Sequence, residues 1–155
     1  MGNPIAVSTY SFWQFRREEL RSVELCIDRA AAMGFDGVEV LHRQLDSEDP
    51  TYLQRLKRQA FVLGLPLCGL SIHQGFVSPD PEVRRQNVAH TARCIELAYS
   101  LGIPTVRVNT GRWGTIADFD TLMAHRGIEP ILPGYTENDG FEWVIDCLGE
   151  LLPVA

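Results

Sequence analysis

The sequence is short of apolar runs. The longest stretch free of charged or strongly polar residues, Ala60–Leu70, is 11 residues broken by Gly64, Pro66 and Gly69, against the roughly 18 that cross a bilayer. No basic segment precedes an apolar one at the N-terminus, so no secretory leader is read. Met1-Gly2 lacks the Ser or Thr at position 6 that myristoylation wants, since Ala6 stands there. The four cysteines, Cys26, Cys68, Cys94 and Cys147, include no C-x-x-C pair and no zinc-like spacing. Three fall in helical patterns and Cys68 in an apolar strand-like run, as reduced cysteines packing as small hydrophobes do. A glycine-rich phosphate loop and a dinucleotide fingerprint are missing, and Gly69-Leu-Ser71-Ile-His73 lacks the second glycine of a nucleophile elbow. Positive charge is also scarce: 14 Lys+Arg against 20 Asp+Glu leave a net −6, which disfavours non-specific nucleic-acid binding. The expectation is a cytoplasmic protein with no membrane and no nucleic-acid partner.

What is present is an ordinary globular mix, 45% hydrophobic and 22% charged over 155 residues, enough for one domain with a core of its own. Its organising feature is an internal repeat. Ala30-Ala-Ala-Met33-Gly34-Phe35-Asp-Gly-Val38-Glu39-Val40 aligns with Ala60-Phe-Val-Leu63-Gly64-Leu65-Pro-Leu-Cys68-Gly69-Leu70 and with Ala98-Tyr-Ser-Leu101-Gly102-Ile103-Pro-Thr-Val106-Arg107-Val108. In each copy a helix runs into a left-handed glycine cap, an apolar residue tucks under it, and a strand begins two residues on. The copies lie 30 and 38 residues apart, the length of one βα unit.

Apolar stripes fill the intervals. Leu20, Val23, Ile27, Ala30 and Ala31 form one. Leu53, Leu56, Ala60 and Leu63 form a second, opened by Asp49-Pro50. Val88, Thr91, Ala92, Ile95 and Ala98 form a third, opened by Asp80-Pro81. Phe141, Val144, Ile145, Leu148 and Leu152 form a fourth, with Asp139 and Glu142 placed as a capping box. With a first strand at Ile5–Ser8 the order is four successive βα units. That is an α/β protein with a parallel sheet in strand order 1-2-3-4, half of a TIM barrel. Residues 1–155 then form a single domain, expected to be truncated after the fourth helix. The alternative is a complete small sandwich of the flavodoxin type, against which the long stretch Gly111–Gly140 after the fourth strand argues.

Alternation separates two strand faces. Ile5 and Val7, Val38 and Val40, Cys68 and Leu70, and Val106 and Val108 should face the helices. The other face carries Ala6, Ser8, Tyr10, Glu39, Leu41, Gly69, Ser71, His73, Arg107 and Asn109, far too polar for a sheet core but suited to a barrel lumen. Glu39 and Arg107 occupy the same repeat position, either as a brace across the lumen or as holders of a polyhydroxy or phosphorylated ligand. His73 ends the third strand and His42 follows the second, while His90 and His125 read as surface residues. Trp13 and Trp113 stand in loops after the first and fourth strands, as sugar-stacking rings or as core anchors.

The segments Ile5-Ala-Val-Ser-Thr-Tyr10-Ser, Met33-Gly-Phe-Asp-Gly-Val-Glu39-Val, Leu70-Ser-Ile-His73-Gln74 and Ala98 to Gly111 resemble the N-terminal half of the sugar phosphate isomerase/epimerase family, the xylose isomerase-like TIM barrels. The resemblance implies metal-assisted proton transfer between adjacent carbons of a sugar or sugar phosphate, with Mn, Mg, Co or Zn as the divalent metal. The family's metal ligands come from strands five to eight, so they are expected to be absent from this chain. The implied contributions are His73 and Glu39 to catalysis and Arg107, Asn109, His42, Trp13 and Trp113 to substrate binding, with no metal ligand and an inactive isolated chain. Two other readings stand beside this one. A non-catalytic half-barrel would associate with itself, as a homodimer through open sheet edges, or with a second half. An apurinic-site endonuclease-like hydrolase would share His73, but Asn109 stands where its second histidine would be.

Overall fold

The structure is a computed structural model and describes residues 2–155. In chain order the elements are β1 (Ala6–Ser8), α1 (Tyr10–Trp13), α2 (Val23–Ala32), β2 (Gly37–Leu41), α3 (Pro50–Val62), β3 (Leu67–Ser71), α4 (Pro81–Leu101), β4 (Val106–Arg107), α5 (Phe119–Ala124) and α6 (Glu137–Leu151). The strands form one parallel sheet in the order β1-β2-β3-β4, so each strand pairs with its sequence neighbour, as consecutive right-handed βα units do. The chain divides into two compact units. One takes the chain up to His73 together with Arg93–Val108, the other Gln74–Ala92 together with Asn109–Ala155.

The first unit contains the whole sheet, and the repeat explains its construction. Gly34, Gly64 and Gly102 have φ of +78°, +70° and +71°, a region that side-chain-bearing residues rarely enter. Each glycine N–H bonds to the carbonyl three residues back (Ala31, Phe61, Tyr99). The next residue's N–H reaches five back, to Ala30, Ala60 and Ala98. This is a Schellman cap repeated three times. The alanine shared by all copies is the cap's acceptor, and it is buried against the core each time. Helix starts are equally legible: the Ser22 hydroxyl accepts from Leu25 N–H, and Asp49 accepts from Thr51 N–H with Pro50 as the first helical residue.

The core lies on one sheet face, where Val38, Val40, Leu67, Leu70 and Ile72 meet Ile27, Leu56 and Leu97 of the helices. Two strand residues depart from simple alternation. Ile5 precedes β1 and is exposed. Cys68 does not face the helices, because the β2–β3 pairing slips between Val38 and Glu39. That irregularity sends both Leu67 and Leu70 into the core, a spacing of three that only a bulge permits. Cys68 is left half-buried, where the negative charge of Glu39 and its own burial raise its thiol pKa, burial contributing most.

In the second unit Asp80 accepts from Glu82 N–H and starts α4, and Asn87 ties the helix to the Gly75 carbonyl. The loops after β3 and β4 touch backbone to backbone. A Cβ on Gly75 would lie 2.8 Å from Gly111 Cα, so both positions require glycine. The stretch 111–140, read as a loop, holds α5, capped by Asp118. It also holds a carboxylate clamp in which Glu129 accepts from Gly114 N–H, Ile116 N–H and the Arg112 guanidinium.

α6 departs from its expected frame. Thr136 is the N-cap and Asp139 its reciprocal partner, so the helix begins one turn before the Asp139–Glu142 box. Its expected inner stripe is split: Phe141, Ile145 and Leu152 are 60%, 66% and 75% exposed, Val144 and Leu148 are half-buried, and the buried residues of the helix are Gly140, Cys147 and Leu151. Gly140 is the physical reason, since without a Cβ it admits the Trp113 indole onto its face of the helix, and a Cβ there would stand 3.0 Å from Trp113 Cζ2.

Candidate functional site

Glu39 alternates with the buried Val38 and Val40, so its carboxylate stands on the face away from the helices. β3 sets Gly69 opposite Glu39, and β4 sets Arg107 opposite Ser71. Arg107 Nε lies 3.5 Å from Glu39 Oε2, although β3 separates their strands. Gly69 permits this, because a Cβ there would press to 3.3 Å from Glu39 Cγ. Both side chains are partly solvated, and such a pair is worth about 0–1 kcal/mol. It shapes the face more than it holds the fold. Beside it are two buried hydroxyls with no hydrogen-bond partner, Ser8 Oγ and Ser71 Oγ, which are in register with Glu39 and Arg107 respectively. Each such orphan costs about 1–3 kcal/mol, a cost that a polar ligand supplying the missing partner would relieve.

Two residues beyond β3, His73 meets the edge of Phe15, ring centroids 5.6 Å apart. Burial first, and then the charges of Arg107 and Arg43, hold the His73 pKa below its ordinary value. Both effects disfavour the imidazolium and favour the neutral ring. Phe15 leans on Trp13 at 4.5 Å and Tyr10 at 5.2 Å, and Arg43 lies 5.2 Å from its centroid. Gln14 and Phe15 have φ of +54° and +56°, two successive left-handed residues without glycine, a strained turn of the kind that positions side chains at sites. Trp13 is only 7% exposed and donates its indole N–H to Glu18, whereas Phe15 is 40% exposed. The ring displayed beside His73 is therefore that of Phe15, with Trp13 as its anchor.

Of the residues singled out from sequence, Glu39, Arg107 and His73 share this region of the first unit. His42 turns elsewhere: its Nε2 lies 2.8 Å from Glu48 Oε1, and a ring nitrogen is within 4.8 Å of Cys94 Sγ. Burial pushes the Cys94 thiol up to about 11. Asn109 and Trp113 belong to the second unit. There the Asn109 carbonyl accepts from Gln74, and Trp113 stacks edge-on with Trp143 at 5.8 Å. Trp143 also meets Tyr135 and the Arg84 guanidinium. His90 is half-buried rather than a surface residue, while His125 is exposed. Sequence reasoning missed Phe15 and Arg43. The left-handed turn that raises Phe15 has no glycine to announce it, and Arg43 acts through space on rings distant in sequence.

A divalent metal of the magnesium or manganese type needs several converging oxygen donors. Glu39 meets a guanidinium instead, and among the described residues no cluster of three His, Cys, Asp or Glu side chains includes it. These residues do not fit that metal.

A four-stranded parallel sheet in order 1-2-3-4, with polar side chains toward the C-terminal strand ends, has the architecture of half a TIM barrel. The model of the xylose isomerase-like TIM barrel family matches residues 27–155, and the chain belongs to that family. Among solved structures it is similar to D-psicose 3-epimerase from Clostridium cellulolyticum H10, crystallised with D-tagatose. The TM-score is 0.71 at 18% identity, over 98% of this chain and 48% of that one. It is also similar to the apo form of 3-keto-D-glucoside 4-epimerase from E. coli, with a TM-score of 0.65 at 19% identity, over 86% of this chain and 47% of the other. The chain thus spans about half the length of these epimerases, and identities so low carry the fold alone. No curated protein matches the sequence. No helix among the described residues is long and apolar enough to cross a membrane.

Proposed function

We propose that the chain supplies the substrate-orienting half of a sugar isomerase or epimerase, whose substrate is a free or phosphorylated sugar and whose reaction moves a proton between adjacent carbons. The observation that carries this reading is the Glu39–Arg107 pair across Gly69, flanked by the unpartnered hydroxyls of Ser8 and Ser71. A carboxylate, a guanidinium and two hydroxyls on one face alternate acceptors with donors, as vicinal sugar hydroxyls do. Arg107 also suits a phosphate. Phe15 offers an apolar ring to sugar C–H groups, and neutral His73 beside it can accept a proton. The divalent metal expected for the family lies outside this donor set, so the chain alone binds without turnover.

Calorimetric titration of the chain with D-psicose, D-tagatose and a ketose phosphate tests the reading. Saturable binding is expected for at least one, weakened about tenfold or more by Arg107→Ala, as losing a charge-assisted hydrogen bond predicts. Absence of saturable binding, or binding indifferent to both Arg107→Ala and Glu39→Gln, overturns it. NMR titration should place His73 below the ordinary value of about 6.5, and Arg43→Ala should raise it. With the folded pKa depressed, the unfolded chain binds the proton more readily, so His73 costs stability as pH falls through the ordinary histidine range.

The sheet also favours a second reading, association. β1 and β4 are its two edges, each offering unpaired backbone groups. Two copies joined edge to edge would bring together the strands of a closed barrel. Sedimentation velocity should show a dimer at micromolar concentration, and a strict monomer throughout sinks this reading.

A further inference from the structure

A groove of about 600 Å³ opens at the N-terminal ends of β3 and β4, wholly within the first unit. That is the size of a small-molecule site. The repeat explains its walls. Where the first copy has Asp36 after its glycine cap, the second and third have Pro66 and Pro104, which carry no N–H to show to a ligand. These prolines line the groove with Ala60, Phe61, Leu65 and Leu101, so its walls are aliphatic apart from one ring. Phe61 is 85% exposed, and its ring is available to an occupant. Lys57 is the only charged residue along the groove among those described. Its ammonium reaches from α3 to the end of α4 and donates to the Ser100 carbonyl at 3.3 Å, and no carboxylate pairs with it among the described residues. An ammonium carries three donors, so two are left beside an apolar wall. Apolar walls alone favour any hydrocarbon, whereas a cation with unused donors favours one that ends in an anion.

We propose that this groove binds an amphiphilic carboxylate, a medium-length aliphatic acid whose chain lies along Leu65, Pro66, Leu101 and Pro104 and whose carboxylate meets Lys57. The site is independent of the sugar-binding reading, because it lies at the N-terminal strand ends and neither Glu39, Arg107 nor His73 lines it.

Calorimetric titration of the full chain with sodium octanoate, and with octanol as the same chain length without the charge, tests it. Octanoate should bind saturably, and both octanol on wild type and octanoate on Lys57→Met should bind about tenfold or more weakly, as loss of a charge-assisted hydrogen bond predicts. Lys57→Arg should restore octanoate binding, and circular dichroism checks that both variants fold. A second readout is local. Cys68 lines the groove while the other three cysteines are buried, so saturating octanoate should slow alkylation of Cys68 by iodoacetamide, read by mass spectrometry. The proposal is overturned if octanoate does not bind saturably, if octanol binds as tightly, or if folded Lys57→Met binds octanoate as wild type does. Competition between D-tagatose and octanoate would also overturn it, by placing the acid on the sugar face. Self-association that Phe61→Ser abolishes, without octanoate binding, would assign the groove to a second copy of the chain instead.

Discussion

α3 and α6 are made from the same instructions and end up differently. Each opens on a side-chain cap, Asp49 or Thr136, and each carries apolar residues at helical spacing. α3 buries Leu53, Leu56 and Ala60 of its stripe in the sheet core, while Leu63, at its C-cap, is exposed. α6 leaves Phe141, Ile145 and Leu152 exposed and buries the face that carries Gly140, Cys147 and Leu151. Caps and periodicity decide that a helix forms and which residues share a face. Which face is covered depends on the partner. For α3 the partner is announced by the glycine cap that turns the chain straight into β3, and for α6 it is an indole that fits only over a glycine.

Mutations can break this contrast, starting from the core. Leu56→Ala should cost about 2–5 kcal/mol in urea unfolding, as buried leucines do, while Ile145→Ala should stay within about 0.5 kcal/mol. Equal effects at the two sites would show that the α6 stripe is covered in solution. One substitution should change sign between two glycines. Gly64→Ala forces a side chain into a φ of +70° and should destabilise by about 1–2 kcal/mol. Gly149→Ala, inside α6 with open space where its Cβ would go, should stabilise by about 0.5–1 kcal/mol. Stabilisation at both would mean that the α3 cap does not hold the left-handed turn. The smallest effect is expected at Phe141→Ser, with unfolding unchanged within about 0.5 kcal/mol and self-association at high concentration reduced. If sedimentation of that variant matches wild type, the exposed stripe plays no part in association.

Much of the site was legible because it rides on the repeat. Aligning three glycine caps places Glu39 and Arg107 at equivalent positions, and alternation puts both on the face away from the helices. Their meeting was not legible, since it depends on Gly69 leaving room across an intervening strand. Cys68 went astray for a related reason: a bulge shifts the period of two by one residue, and nothing in Leu67-Cys-Gly-Leu70 signals where the slip falls. Trp13 and Trp113 look alike in sequence as loop tryptophans. One is an anchor beneath Phe15 and the other stacks on Trp143 over Gly140, and those partners are remote along the chain.

The sequence by itself determined the βα units, their caps, the strand order and the polarity of the two sheet faces. All of these follow from interactions within a few residues or from a period the chain repeats. Tertiary structure alone decided that Phe15 would be the ring beside His73, that His42 would turn to Glu48 and Cys94, and that α6 would bury its Gly140 face. Those outcomes depend on which distant side chain fills a given volume and which charge lies within reach. Close packing and short-range electrostatics settle such matters only once the backbone has brought the groups together.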